Sequence, residues 1–230
     1  MSPPAPPAAA PWVAQPGDIR AVRGAPQDAG EIDDTWRPLG QPWRRDGLEP
    51  GFNPGWARLR WQDSALEVDA IFLGRNSRNR ARTLNERTWE LGDICEVFVL
   101  APDGRTYVEI HVTPENQRLQ LRWPRDGLAR FRAGSAALED FLVPDPAWIT
   151  STSHLGPDFW SVQASLPFTA IGIDPAAPSA PGLRVAICRY DCTRGGEPLL
   201  SSTAPLREPN YHRVEDWPPL VLANNPAPAA

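Results

Sequence analysis

The chain has 230 residues and a net charge of −5, and 41% of its residues are hydrophobic. This length suits one globular domain, and an acidic chain without a basic stripe argues against a nucleic-acid partner. All 23 basic residues are arginine, so a mechanism that depends on a lysine Schiff base is excluded.

Proline and alanine dominate both ends of the chain. Residues 1–16 read MSPPAPPAAAPWVAQP and the last six read NPAPAA, and such segments cannot build a packed core. We therefore predict a disordered Pro/Ala-rich tail at 1–28, one folded domain at 29–223 and a second tail at 224–230. No apolar run is long enough for a membrane helix, which predicts no membrane partner, and no export signal precedes the domain, which as written predicts a cytoplasmic chain.

The three cysteines, Cys95, Cys188 and Cys192, are an odd number and do not form a disulfide framework. Cys188 and Cys192 would lie on one extended strand about 13 Å apart, whereas a disulfide spans at most about 7 Å. Their spacing matches no zinc motif. We predict small buried thiols.

Strand patterns begin at residue 56. Residues 56–62 and 65–73 both alternate between apolar and polar side chains, and the Asp63-Ser64 pair between them predicts a hairpin. Residues 74–92 are polar and rich in arginine, which indicates a long loop.

Residues 93–124 contain three strands and two turns. Asp103-Gly104 predicts the first two-residue turn, and Glu115-Asn116 predicts the second. Across the first turn Glu96 would lie opposite His111. Across the second turn His111 would lie opposite Gln120, and Glu109 would lie opposite Arg122.

This register divides the side chains between an apolar and a polar face. The apolar face, which we predict to be the core, holds Cys95, Val97, Val99, Val108, Ile110, Val112, Leu119, Leu121 and Trp123. The polar face, which we predict to meet solvent or ligand, holds Glu96, Phe98, Leu100, Tyr107, Glu109, His111, Arg118, Gln120 and Arg122.

Further strands are predicted at 159–168, 184–191 and 218–223, a helical turn after residue 167, and a short helix within 126–141. Many short strands separated by turn residues indicate an all-β fold. We predict a two-sheet antiparallel β-sandwich of the immunoglobulin or jelly-roll kind.

Three stretches of the chain form a recognisable series. The first contains Asp93, Glu96-Val97-Phe98, Tyr107, Glu109 and Pro114, and the second leads from Trp160 to Leu166-Pro167-Phe168. The third contains Arg189, Ser201-Ser202, Pro205, His212 and an apolar strand after Trp217. Together, over residues 30–222, they resemble the family-9 carbohydrate-binding modules and the wider DOMON-like superfamily of β-sandwiches.

The resemblance implies a mostly exported, non-catalytic module that holds sugar between two tryptophans beside polar side chains of a sheet. Trp89 lies near one tryptophan position and Glu96 matches the acidic position, whereas Leu199 and Leu200 stand where the second ring is expected. Calcium occurs in the family, although no calcium ligand is assigned here. Related sandwiches bind haem through methionine with histidine or lysine, and this chain has no methionine after Met1 and no lysine, so we expect no haem.

We predict a ligand site formed by Trp89, Glu96, Glu109, His111, Gln120 and Arg122. An exposed Trp89 would stack on a sugar ring, and a buried one would anchor its loop. The glutamates would serve as an acid–base pair in a glycosidase, but pairing across strands also explains them. His111 is interpreted as a hydrogen-bonded sheet residue, with a metal site of His111, His154 and His212 as the alternative.

Together these features predict a monomeric, non-catalytic module that binds plant-type polysaccharide, such as xylan, in carbohydrate catabolism. The alternative is a structural or interaction β-sandwich that has lost its sugar site.

Overall fold

The computed structural model describes residues 19–23, 35–176 and 181–223. Short strands dominate these residues. In chain order the strands are β1 (Ile19–Arg23), β2 (Arg37–Pro38), β3 (Gly55–Gln62), β4 (Ala65–Leu73), β5 (Ile94–Leu100), β6 (Thr106–Val112), β7 (Arg118–Pro124), β8 (Thr150–Leu155), β9 (Phe159–Pro167), β10 (Arg184–Asp191), β11 (Leu199–Ser202) and β12 (Leu220–Ala223). One α-helix, α1 (Gly127–Arg132), follows β7, and 3₁₀ helices span Thr88–Glu90, Leu138–Phe141, Phe168–Ile171 and Val214–Asp216.

The strands form two sheets that pack face to face. The first sheet has the order β12-β1-β3-β4-β9-β8, with β2 beside β3, and the second has the order β11-β10-β5-β6-β7. The predicted β-sandwich is therefore confirmed. Strand pairing is antiparallel as predicted except at β1, which runs parallel to both β12 and β3.

The position of β1 also changes the predicted domain boundary. Ile19 to Val22 pair with Leu220 to Ala223 of β12, so the sheet contains residues that we assigned to the N-terminal tail. The boundary at residue 28 is therefore too late. The rest of the predicted tails, residues 1–18, 24–28 and 224–230, lies outside the described residues, as do residues 29–34 of the predicted domain.

The hairpin of β3 and β4 forms as its sequence predicts. Gln62 pairs with Ala65 across the two-residue turn, and Asp63 adopts a φ of 49°, a left-handed conformation that aspartate tolerates better than most residues. Leu66, Val68, Ala70 and Phe72 therefore point into the core between the sheets, as predicted. Their burial against the second sheet is the main stabilising contribution of this hairpin.

The first turn of the β5-β6-β7 meander also agrees with the prediction. Glu96 pairs with His111 and Phe98 with Glu109, and Gly104 supplies the positive φ, 65°, that the turn requires. Cys95, Val97, Val99, Val108, Ile110 and Val112 consequently lie in the core between the sheets.

The second turn differs by one residue, and the predicted register beyond it is wrong. The Thr113 and Gln117 backbones bond to each other, which leaves a three-residue loop that ends at Asn116 in the left-handed region, with a φ of 61°. His111 therefore pairs with Leu119, and Glu109 pairs with Leu121. A shift of one residue moves every side chain of β7 to the other face.

As a result, both faces of the second sheet carry apolar clusters. Leu119, Leu121 and Trp123 do not join the core between the sheets, where we had placed them. They lie on the outer face beneath α1 and Leu138–Phe141. The Trp123 ring lies 4.5 Å from the Phe141 ring, centroid to centroid, and 6.0 Å from the Phe131 ring. The predicted polar face is thus largely covered rather than open to solvent.

The prediction of buried thiols holds for two of the three cysteines. All three are free, and Cys95 and Cys188 are buried, whereas Cys192 is partly exposed after the end of β10, so the prediction is wrong there. The long loop at 74–92 is present and carries only the 3₁₀ turn Thr88–Glu90 and one isolated bridge between Asn79 and Gly92. Among the described residues no helix is long and apolar enough to cross a membrane.

Candidate functional site

A pocket of about 370 Å³ opens on the outer face of the second sheet. Strands β5 and β6 supply its floor, which contains Glu96, Glu109 and His111. The loop residue Trp89, the helix α1 and the segment 209–212 form the walls. We call this cavity the sheet pocket.

The three floor residues come together because of the β5-β6 register. Glu96 lies directly opposite His111, and Glu109 lies two residues before His111 on the same face of β6. Their exposed fractions are only 5% for Glu96, 4% for Glu109 and 1% for His111. Charged groups at this depth require partners, since burial without them is costly.

Glu109 has partners for both of its carboxylate oxygens. His111 Nε2 donates to Oε1 at 2.8 Å, and the indole of Trp123 donates to Oε2 at 2.6 Å. Burial alone would raise the pKa of Glu109, but His212, His111 and the Trp123 N–H outweigh it and hold the pKa below its usual value. Glu109 is therefore a fixed carboxylate anion.

His111 is held from both sides. Its Nδ1 shares a hydrogen bond of 2.7 Å with the hydroxyl of Thr88, and its ring lies edge-on to Trp89 with 5.9 Å between centroids. Burial disfavours its charge, yet Glu96 and the bond to Glu109 outweigh burial and raise its pKa. His111 is thus a hydrogen-bonded sheet histidine, in agreement with our interpretation of the sequence.

Glu96 differs from Glu109 because it makes no hydrogen bond with any described residue. Its carboxylate lies 3.5 Å from His111 Nε2, its ion-pair partner among the described residues. Burial raises its pKa to about 7, with Glu109 adding to the effect and His111 opposing it. A buried carboxyl group that faces a pocket without a hydrogen bond is an acceptor available to a ligand.

Two predicted site residues do not belong to the sheet pocket. The register of β7 places Gln120 and Arg122 on the opposite face, beside Ile110 and Val108. Gln120 donates to the carbonyls of Val143 and Asp145, at 3.0 and 2.9 Å. Arg122 donates to the carbonyl of Ala170 at 2.9 Å, and its guanidinium lies over Trp148. Both side chains hold neighbouring segments, so the structure does not bring them together with the other predicted ligand residues.

The pocket is also lined by residues outside the predicted ligand set. His212 lines the pocket, and its Nδ1 lies 3.0 Å from the Tyr107 hydroxyl and 3.9 Å from Glu109 Oε2. Asn210, Tyr190 and Arg132 also line the pocket. Local alternation does not place these side chains beside Glu109, because His212, Asn210 and Tyr190 come from segments far from it in sequence.

The three histidines do not form the alternative metal site. His154 lies on β8 in the first sheet, where its ring packs 5.6 Å from that of Phe159, whereas His111 and His212 lie in the sheet pocket. Glu96, Glu109 and His111 each offer a ligand atom, and these atoms lie within 4.8 Å of one another. Calcium prefers six to eight oxygen ligands, and a set with an imidazole and a carboxylate already held by two donors does not fit it.

The two glutamates have opposite pKa shifts, a pattern that also occurs in acid–base pairs of enzymes. Here the carboxylate with the lowered pKa, Glu109, has donors on both oxygens and only 4% exposure. That arrangement suits an anion that positions its neighbours better than a nucleophile, which must reach its substrate.

Comparison with models of known protein families gives no match, and no curated protein matches the chain either. Solved structures do match over almost the whole chain. One, from Bacteroides uniformis, is a protein provisionally described as carbohydrate-binding. It is 13% identical, has a TM-score of 0.64, and aligns with 90% of this chain and 99% of its own.

Two further matches are family-9 carbohydrate-binding modules from Caldicellulosiruptor kristjanssonii. The complex with cellotriose is 14% identical, has a TM-score of 0.59, and aligns with 93% of this chain and 97% of its own. The complex with glucose is 15% identical, has a TM-score of 0.56, and aligns with 91% of this chain and 97% of its own. The predicted resemblance in fold is therefore confirmed: the chain has the β-sandwich fold of the family-9 modules.

Proposed function

We propose that this chain is a non-catalytic carbohydrate-binding module whose ligand occupies the sheet pocket. The observation that carries the proposal is Glu96, a buried carboxyl group that faces the pocket and has no hydrogen bond from the described residues. A sugar hydroxyl is a suitable donor for such an acceptor, because it replaces the hydrogen bond lost to water.

The walls of the pocket support the same class of ligand. Trp89 is only partly buried and offers an indole surface beside the polar floor, and Tyr190 and Asn210 add polar groups. Sugar rings have apolar faces and polar edges, so they suit a site with an aromatic wall and hydrogen-bonding side chains. A volume of about 370 Å³ lies at the small end of ligand pockets, which favours one sugar unit or the end of a chain.

The neighbours in fold are consistent with this proposal, since two of them were solved with cellotriose and with glucose. Trp89 provides one aromatic platform here, and Leu200 lines the pocket where the resemblance leads us to expect a second. With a single platform we expect weak binding, with a Kd of roughly 0.1–1 mM. A plant-type polysaccharide ligand and a place in carbohydrate catabolism are parts of the proposal.

Calorimetric titration with glucose and cellotriose tests the proposal. We expect saturable heat with the wild type, and we expect Trp89→Ala to weaken binding about tenfold while the melting temperature barely changes. Calorimetry is preferable to fluorescence as the main readout, because the chain contains ten tryptophans.

Trp148→Ala is the matched control. Trp148 is also partly buried, but it packs against the core cluster beneath Arg122 and does not line the sheet pocket. We expect this variant to keep the wild-type affinity for sugar even if it loses stability. No heat with any saccharide would refute the proposal and favour an interaction domain, and a sharp fall in melting temperature for Trp89→Ala would make Trp89 a loop anchor.

A further inference from the structure

A second pocket, of about 440 Å³, adjoins the sheet pocket, and His212 lines both. Its lining includes Arg105, Arg125 and Arg184 together with Tyr107. The hydrogen bond of 3.0 Å between Tyr107 and His212 marks the boundary between the two cavities. We call the second cavity the arginine pocket.

The positive charges of the arginine pocket are not neutralised within the described residues. Arg105 and Arg125 are exposed and form no ion pair there, and Arg184 donates to a backbone carbonyl, that of Trp217, at 2.6 Å. The one carboxylate in the described lining, Glu215, is already paired with Arg213 at 3.0 Å and Arg207 at 3.8 Å.

This concentration of positive charge contrasts with the rest of the molecule. The chain as a whole carries a net charge of −5, and the buried arginines Arg58 and Arg189 each pair with an aspartate, Asp69 and Asp191 respectively. A cavity lined by charges of one sign focuses the electrostatic potential and attracts ions of the opposite sign. Guanidinium groups also bind carboxylates and sulfates with favourable hydrogen-bond geometry.

The sheet pocket carries less positive charge, since Glu96 and Glu109 lie at its floor and Arg132 is the one arginine in its described lining. A neutral ring is therefore better placed over these carboxylates than an anionic group is. The acidic part of a ligand is therefore favoured on the far side of His212, where Arg105 and Arg125 lie.

We propose that the preferred ligand is an acidic saccharide, an inference that rests on the proposed function. Its neutral sugar unit would occupy the sheet pocket, and its carboxylate or sulfate group would occupy the arginine pocket. Uronates and sulfated sugars share this chemistry. They differ in geometry and charge distribution, so direct comparison distinguishes them.

Calorimetry measures the affinity for cellotriose, for a uronate form of the trisaccharide and for its sulfate ester, all of the same length. We expect at least one acidic form to bind about tenfold more tightly than cellotriose in about 0.05 M salt, and this advantage to shrink strongly in about 0.5 M salt, where screening is short-ranged. The form with the larger gain identifies the acidic group.

Arg125→Gln should reduce the advantage of the acidic ligand about threefold and leave cellotriose binding unchanged, since an exposed ion pair contributes modestly. Arg130→Gln is the matched control, because it removes one exposed charge from the neighbouring helix α1 without lining either pocket. An equal loss in both variants would overturn the arginine pocket as a site. Cellotriose binding without any gain for the acidic forms would refute this inference and leave the proposed function intact, whereas no binding of any saccharide would refute both.

Discussion

Replacing Glu96 with glutamine should stabilise the protein at neutral and alkaline pH. Burial raises the pKa of Glu96 from 4.5 to about 7, so the folded state binds the proton more tightly than the unfolded state does. The resulting contribution to stability is fully present below pH 4.5 and is lost as the pH rises through about 7. At about 1.4 kcal/mol per pH unit this loss amounts to about 3 kcal/mol.

His111 acts in the same direction. Its pKa is raised, with Glu96 as the leading favourable cause against burial, so the stability that its protonation contributes is also present at low pH and lost as the pH rises. Glutamine at position 96 removes both the buried carboxyl group and much of its effect on His111. The difference between the two proteins should therefore be small at about pH 5 and reach about 3 kcal/mol in favour of the variant at about pH 8.

Urea unfolding of wild type and Glu96→Gln at these two pH values measures the difference. Glu139→Gln, which alters an exposed glutamate in the 3₁₀ helix Leu138–Phe141, serves as the control and should follow the wild type. Parallel pH dependences for wild type and Glu96→Gln would refute our account of the buried carboxyl group. If Glu96 also binds ligand, the stabilised variant should have the weaker sugar affinity, as is common for residues kept for function.

Three further predictions concern the turn, the register of β7 and the pocket wall. Asn116→Ala should cost about 1–2 kcal/mol in urea unfolding and Asn116→Gly less, because Asn116 has a φ of 61°; equal losses would argue against this turn geometry. Gln120→Leu should cost about 1–3 kcal/mol, because the carbonyls of Val143 and Asp145 lose their donor. Its sugar affinity should match that of the wild type, and a clear loss would contradict the assigned register. Leu200→Trp should tighten glucose binding about tenfold by adding a second ring to the pocket wall, whereas weaker binding would show that the position is not on the ligand path.

The sequence by itself determined most of the strands and one register. Period-two alternation and the Asp103-Gly104 turn are local properties, and they were sufficient to place Glu96 opposite His111. The same alternation showed that Val97 and Ile110 share a buried face. These features depend on residues close together in the chain, so they can be predicted from a single sequence.

The face of β7 was decided by tertiary structure. The alternation shows that Leu119, Leu121 and Trp123 share one buried face of β7. It does not show whether that face packs in the core between the sheets or in the outer cluster, where the structure places it. The three-residue loop to Asn116 and the aromatic packing of Trp123 against Phe141 fix the outcome. The loss of Gln120 and Arg122 from the candidate site follows from that single shift.

The walls of both pockets likewise depend on the tertiary structure alone. His212 reaches Tyr107 across 105 residues of sequence, and β1 joins β12 at the opposite end of the chain. Contacts of this kind are selected by the burial of whole sheets and loops rather than by local preference. The sequence identified Glu96, Glu109 and His111 as neighbours, and only the packing of distant segments over the second sheet turned that face into a buried floor with arginines beside it.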